Sequence, residues 1–303
     1  VWSFAKAGHL DDGLFKGFAS QVRRKLKDFN SQDLANTAWA FAKACHPDES
    51  LFASISGACV ACLDDFNAQD LVNTAWAFAK VGHLEATLFK AISLAARSKL
   101  KTFNAQDFAN TAWAFAKLGQ FDGELFAALA KDAARHGDGH NAQGLANTVW
   151  SFAKAGHLDD GLFKGFASQV RRKLKDFNSQ DLANTAWAFA KACHPDESLF
   201  ASISGACVAC LDDFNAQDLV NTAWAFAKVG HLEATLFKAI SLAARSKLKT
   251  FNAQDFANTA WAFAKLGQFD GELFAALAKD AARHGDGHNA QGLANTVWSF
   301  AKA

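Results

Sequence analysis

The sequence predicts an all-α protein, an α-solenoid (superhelix) of 37-residue helix-turn-helix repeats, on three observations. Tryptophan stands at 2, 39, 76, 113, 150, 187, 224, 261 and 298, each 37 residues after the last, a period of repeat architectures. Each 37-residue unit carries two stretches whose apolar residues recur at helical spacing, and no stretch reads convincingly as a strand. With 50% hydrophobic and 20% charged residues, the chain has the composition of a soluble globular protein and enough apolar side chain to bury a core.

The first helix of a unit is represented by Phe29 to Cys45, FNSQDLANTAWAFAKAC. Asn30 is a good N-cap, and Asp33 takes the capping-box position, where Glu is more usual. Phe29 and Leu34 form a hydrophobic staple. At about 100° per residue, Leu34, Ala35, Ala38, Trp39, Phe41 and Ala42 share one broad apolar arc, so the helix is expected to be buried on more than one side. Gly8, Gly82 and Gly119 close three of the four variants of this helix, where a left-handed residue is wanted.

The second helix spans roughly Asp11 to Lys27, with Leu14, Phe15, Phe18, Ala19, Val22 and Leu26 on its apolar face and acids at its start. Pro47 and its copy Pro195 fall in the connection before this helix, where proline does no harm. A hairpin of two such helices cannot bury its faces alone, so neighbouring units must stack on it.

The whole chain, 1–303, reads as a single repeat array with a second period. Residues 149–296 copy residues 1–148 without a change, and 297–303 begin the block again. Each block of four repeats holds 15 basic and 15 acidic residues, and Lys302 beyond them supplies the net charge of +1. The second helix is basic in the first unit (Arg23, Arg24, Lys25, Lys27) and third (Arg97, Lys99, Lys101), and acidic in the second (Asp48, Glu49, Asp64, Asp65). This alternation favours contact between adjacent units or between molecules over a continuous phosphate track. The fourth unit departs at its end, where Gly137 replaces a core leucine, His140 the staple phenylalanine and Gly144 the capping aspartate. A soft joint is expected at 136–144 and at its copy. The absence of Met marks the sequence as a processed form, an excerpt or an engineered piece.

No recurrent or unique group of residues supplies nucleophile, base and orienting partner together, so no enzyme is expected, and neither a cofactor nor a small-molecule substrate. His9, His46 and His83 recur in the inter-helix turn, Gln120 takes their place in the fourth unit, and they read as turn or packing residues. Cys45-His46 and Cys59-x-x-Cys62 invite a zinc reading. However, Cys59 aligns with the core residues Val22, Ala96 and Ala133, while Cys62 aligns with Lys25, Lys99 and His136, read as exposed. Two sulfurs in such different surroundings predict no metal site. Six cysteines are too few for a disulfide scaffold, which points to a reducing, intracellular compartment. No apolar run is long enough for a membrane span.

The candidate functional residues are the polar stripe of the first helix. Gln32, Asn36 and Lys43 fall within about 40° of one another on the helical wheel. Their copies are Gln69, Asn73 and Lys80; Gln106, Asn110 and Lys117; Gln143, Asn147 and Lys154; Gln180, Asn184 and Lys191; Gln217, Asn221 and Lys228; Gln254, Asn258 and Lys265; and Gln291, Asn295 and Lys302. Asparagine is a poor mid-helix residue, so its recurrence calls for compensation. Two readings stand. One is an asparagine ladder bonding neighbouring units, with Lys43 complementing the helix dipole; the other is a ligand surface of amides and ammonium groups suited to phosphates and base edges.

The wording F-N-x-Q-D-L-A-N-T-A-W-A-F-A-K-L-G, present as Phe103 to Gly119 with Phe108 for Leu, resembles the heptatricopeptide repeat. That is the 37-residue relative of octotricopeptide and pentatricopeptide repeats, found with RAP-domain and FAST-kinase-like proteins, and the resemblance covers the whole chain. It implies a superhelix that binds single-stranded RNA in a mitochondrion or plastid and helps process, stabilise or assemble transcripts or ribosomal RNA. Because Gln, Asn and Lys hardly vary, the stripe predicts weak sequence discrimination or preference for a uniform tract. The competing expectation is a structural or protein-binding array whose exposed solenoid ends stack on further copies of itself, into fibres or a ring.

Overall fold

The structure, a computed structural model, describes every residue except 9–10 and 282–288, and of 134, 137, 138, 280 and 281 only the backbone. His9 lies outside the described residues, as does 284–288 of the second joint. The chain divides into two compact units, Val1–His140 and Asn141–Ala303, and the boundary falls inside the expected joint.

The first unit contains α1 (Trp2–Lys6), α2 (Asp12–Lys25), α3 (Ser31–Lys43), α4 (Glu49–Ala61), α5 (Ala68–Val81), α6 (Ala86–Lys99), α7 (Ala105–Lys117) and α8 (Gly123–Asp132). The second contains α9 (Ala142–Ala155), α10 (Asp160–Lys173), α11 (Ser179–Lys191), α12 (Glu197–Ala209), α13 (Ala216–Val229), α14 (Ala234–Lys247), α15 (Ala253–Lys265), α16 (Gly271–Ala281) and α17 (Ala290–Lys302). No strand occurs among the described residues. Within each unit the odd-numbered helices pack side by side in one layer and the even-numbered helices form a second layer, hairpin by hairpin. This is the arrangement of an α-solenoid.

Local chemistry accounts for the elements. Asn30 accepts from the Asp33 N–H at 2.9 Å, and the Asp33 carboxylate accepts from the Asn30 N–H at 3.2 Å, so the shorter acid still closes the capping box. The same box opens α5, α7, α11, α13 and α15. At α9 Gly144 leaves half of it, with the Gly144 N–H donating to Asn141 at 2.7 Å. At the other end of α5, Gly82 takes φ +74° and the His83 N–H reaches the Phe78 carbonyl at 3.0 Å, a Schellman closure. The second helix ends earlier than the periodicity predicts, because Leu26–Asp28 tighten into a 3-10 turn, as orphan C-terminal carbonyls often do.

Packing follows the small residues. Ala35, Ala38 and Ala42 are fully buried, and side chains this small let the odd-numbered helices approach closely. Between layers, phenylalanines meet edge to face, Phe15 with Phe41 at 5.3 Å and Phe52 with Phe78 at 5.0 Å, a favoured aromatic geometry. Two expectations are corrected here. Trp39, assigned to the apolar arc, is only half-buried, because it lies at the solvent edge of that arc. His136, read as exposed, is buried at 6% accessibility, its ring 5.1 Å from that of Phe108 and its Nε2 3.0 Å from Asp132. His140 fills the staple position, buried and 5.8 Å from Phe108. The joint has therefore lost aliphatic contacts but kept a packed aromatic group.

Candidate functional site

Each internal odd-numbered helix is buried on nearly all sides and reaches solvent along one line. In α5 the accessible positions away from the ends are Gln69, Asn73, Trp76 and Lys80, while Asp70, Leu71, Val72, Thr74, Ala75, Ala77, Phe78 and Ala79 are buried. The spacing i, i+4, i+7, i+11 puts all four on one face. The pattern repeats: glutamine and lysine are exposed and asparagine half-buried in all eight copies of the stripe. Tryptophan, absent from the polar reading, belongs to the same line. Its position alone could have shown this, since Trp39 falls within about 60° of Gln32, Asn36 and Lys43 on the wheel; its apolar character hid it.

Seven of the nine tryptophans form a ladder, three in the first unit and four in the second; Trp113 and Trp298 hold the same position in the repeat, but among the described residues no ring pair joins them to Trp76 or Trp261. Ring centroids are 6.3 Å apart from Trp2 to Trp39 and from Trp39 to Trp76 in the first unit. In the second they are 6.4 Å from Trp150 to Trp187 and Trp187 to Trp224, and 6.5 Å from Trp224 to Trp261. The lysine one turn on reaches over the ring in three places, Lys6 over Trp2 at 4.5 Å, Lys154 over Trp150 at 5.7 Å and Lys302 over Trp298 at 5.0 Å, within range of a cation–π contact. Lys302 also donates to the Ala264 carbonyl at 2.8 Å, a cation on the C-terminal end of α15. None of the stripe asparagine amides makes a side-chain hydrogen bond to a described residue.

Charges of the even-numbered layer are spent differently. Arg23 on α2 binds Asp48, the N-cap of α4, at 2.9 Å and Ser50 at 2.7 Å; Arg171 binds Asp196 at 2.6 Å in the second block. Arg97 pairs with Glu124 and Arg245 with Glu272. These ion pairs thus join adjacent repeats within each compact unit. Burial works against the Asp48 carboxyl, but the Leu51 N–H, Ser50 and Arg23 together hold it below its ordinary value. The capping-box carboxyls Asp107, Asp181, Asp218 and Asp255 are buried, and burial pushes them up in spite of their asparagine N–H donors.

The turn histidines His46 and His83 are packed and paired. His46 stands 5.9 Å from the Phe41 ring and 3.1 Å from Asp12, and His83 is 3.0 Å from Glu85. Cys59 is fully buried, its thiol pushed up to about 12 by burial and by neighbouring Cys62. Cys62 is half-buried and points at the Ala58 carbonyl. Among the described residues no group of three or more His, Cys, Asp or Glu could hold a metal, and no helix is long and apolar enough to cross a membrane.

Two layers of stacked helices, with one accessible line of constant residues, define a helical-repeat protein whose distinctive surface is that line. The model of the RNA-editing substrate-binding complex 6 protein family matches residues 1–197 and again 195–303. The chain belongs to that family. No curated protein matches it. Among solved structures it is similar to a chain of a homology model of the full-length AP-3 complex in an intermediate open conformation, at 9% identity and TM-score 0.37, over 89% of this chain. It spans 52%, about half, of that chain.

Proposed function

We propose that this protein is a non-enzymatic scaffold that holds single-stranded RNA along Gln32, Asn36, Lys43 and their copies. The family's name speaks of an RNA-editing substrate-binding complex, and the heptatricopeptide-like wording of the first helix agrees with RNA as ligand. The observation that carries the reading is the accessible line itself. Exposed amide and ammonium groups recur in every repeat, the asparagine amides make no side-chain hydrogen bond among the described residues, and such groups suit phosphate oxygens and the edges of unpaired bases. A mitochondrial setting belongs to the same proposal.

Fluorescence anisotropy of labelled single-stranded RNA, repeated across a salt series, tests it. Affinity should fall with salt at a slope of about −0.7 per phosphate contact. Changing Lys43, Lys80 and Lys117 together to Ala should weaken binding and flatten the slope by roughly 2, three contacts' worth. Unchanged affinity and slope would take the stripe out of the binding site.

A further inference from the structure

The accessible line holds a residue that neither phosphate contact nor amide recognition uses. We infer that the tryptophan ladder is a base-stacking track, each ring receiving the face of an unpaired base while the flanking lysine holds the phosphate. The inference rests on the RNA reading above and adds to it a hydrophobic, sequence-tolerant contact.

Three observations carry it. Half-buried tryptophan occupies the same accessible position of every internal odd-numbered helix, between an asparagine and a lysine; a ring placed there only for packing would be better buried with Phe41 and Phe78. Lysine ammonium groups sit over the rings at the three places given above, so positive charge and aromatic face are already side by side, the pairing that single-strand binders use. The pitch of 6.3–6.5 Å is nearly twice the ~3.4 Å rise of a stacked strand. Consecutive bases of a duplex or a stacked helix cannot therefore meet consecutive rings. The occupant must be a single strand with its bases drawn apart.

The chain has nine tryptophans and no tyrosine, all at one position of the repeat and seven of them paired ring to ring, so intrinsic fluorescence reports on that position of the repeat and chiefly on the ladder. The experiment titrates the full chain with a single-stranded RNA homopolymer, with an abasic ribose-phosphate chain of equal length, and with an RNA duplex. The homopolymer should quench the fluorescence and bind at least ~10-fold more tightly than the abasic chain, the scale of one base–aromatic contact, and the duplex should quench little. Changing Trp76 and Trp224 to Leu should cost affinity for RNA about tenfold and leave the abasic affinity within about twofold. Trp76→Phe with Trp224→Phe, which keeps a ring, should retain most of the RNA affinity and guards against a misfolded leucine variant. If RNA and abasic chain bind equally without quenching, the stacking track is overturned while the lysine stripe stands. If RNA does not bind even at low salt, both readings fall.

Discussion

Cys45 and Cys193 hold φ of 52° and 51°, the left-handed conformation that glycine supplies at Gly8, Gly82 and Gly119. An L-residue pays roughly 1–2 kcal/mol there, offset in part by the greater chain entropy that glycine loses on folding, about 0.5–1 kcal/mol. A Cβ at Gly82 or Gly119 would meet nothing within 4 Å, so the strain is in the backbone and not in crowding. Cys45→Gly with Cys193→Gly should therefore stabilise the protein by about 1 kcal/mol in urea unfolding; a loss of stability would mean the sulfur makes a contact worth more than the strain. The cysteine's exception was legible in the sequence, because the repeat aligns it with three glycines. Trp39 and His136 were less so. Apolar character put the tryptophan inside, although its wheel position put it beside lysine. Alignment with Lys25 and Lys99 put the histidine outside, although Phe108 and Asp132 offer its ring a packed, hydrogen-bonded place.

At the scale of the helix, caps and C-terminal closures follow the sequence closely, since Asn-x-x-Asp and a left-handed terminal residue are local chemistry acting within a turn. The even-numbered layer needed the structure. Charge alternation showed that contacts between units or molecules were favoured, but only the fold brings Arg23 to the N-cap of the next helix, so that one carboxylate both caps α4 and clamps α2. The Asp48 and Asp196 carboxyls lie below their ordinary value of 3.8, burial being outweighed by backbone, serine and arginine donors. A depressed folded-state pKa gives stability that is present above about 3.8 and disappears as pH falls through the lowered value. Each clamp, partly exposed, is worth roughly 0.5–1 kcal/mol after solvent screening. Thermal unfolding should therefore show the midpoint dropping as pH falls below 3.8, with a smaller drop when Asp48 and Asp196 are both changed to Asn. Capping aspartates such as Asp181 act with the opposite sign. Burial raises them, so the stability they contribute is present below 3.8 and diminishes as pH rises toward the raised value. Equal acid sensitivity in the Asn variant would remove the clamps from the account.

For the whole molecule, the proposed RNA reading carries a constraint, because the line it uses is the same in every repeat. If every helix offers the same glutamine, asparagine, tryptophan and lysine, the base preferred by one unit is preferred by all, and the best ligand over a run of units must be a homopolymer. A reader that varies its side chains can gain about 1–3 kcal/mol per correctly paired base, which multiplies along a strand into high selectivity; a constant face has no such means. The departures at Gly137, His140 and Gly144 lie outside the line of the stripe, which in that repeat is Gln143, Asn147, Trp150 and Lys154. The expected result of a competition series with RNAs of equal length is that no mixed sequence outcompetes the best homopolymer, and that the homopolymers differ among themselves by less than roughly tenfold, as stacking and phosphate contact allow. Affinity should rise with length, each added unit contributing the same lysine and the same ring. Selection from a random pool provides the stricter measurement, because it searches every sequence at once. A mixed-sequence motif preferred by more than about a hundredfold, beyond what one bidentate base contact typically supplies, would show that residues outside the constant line are doing the reading.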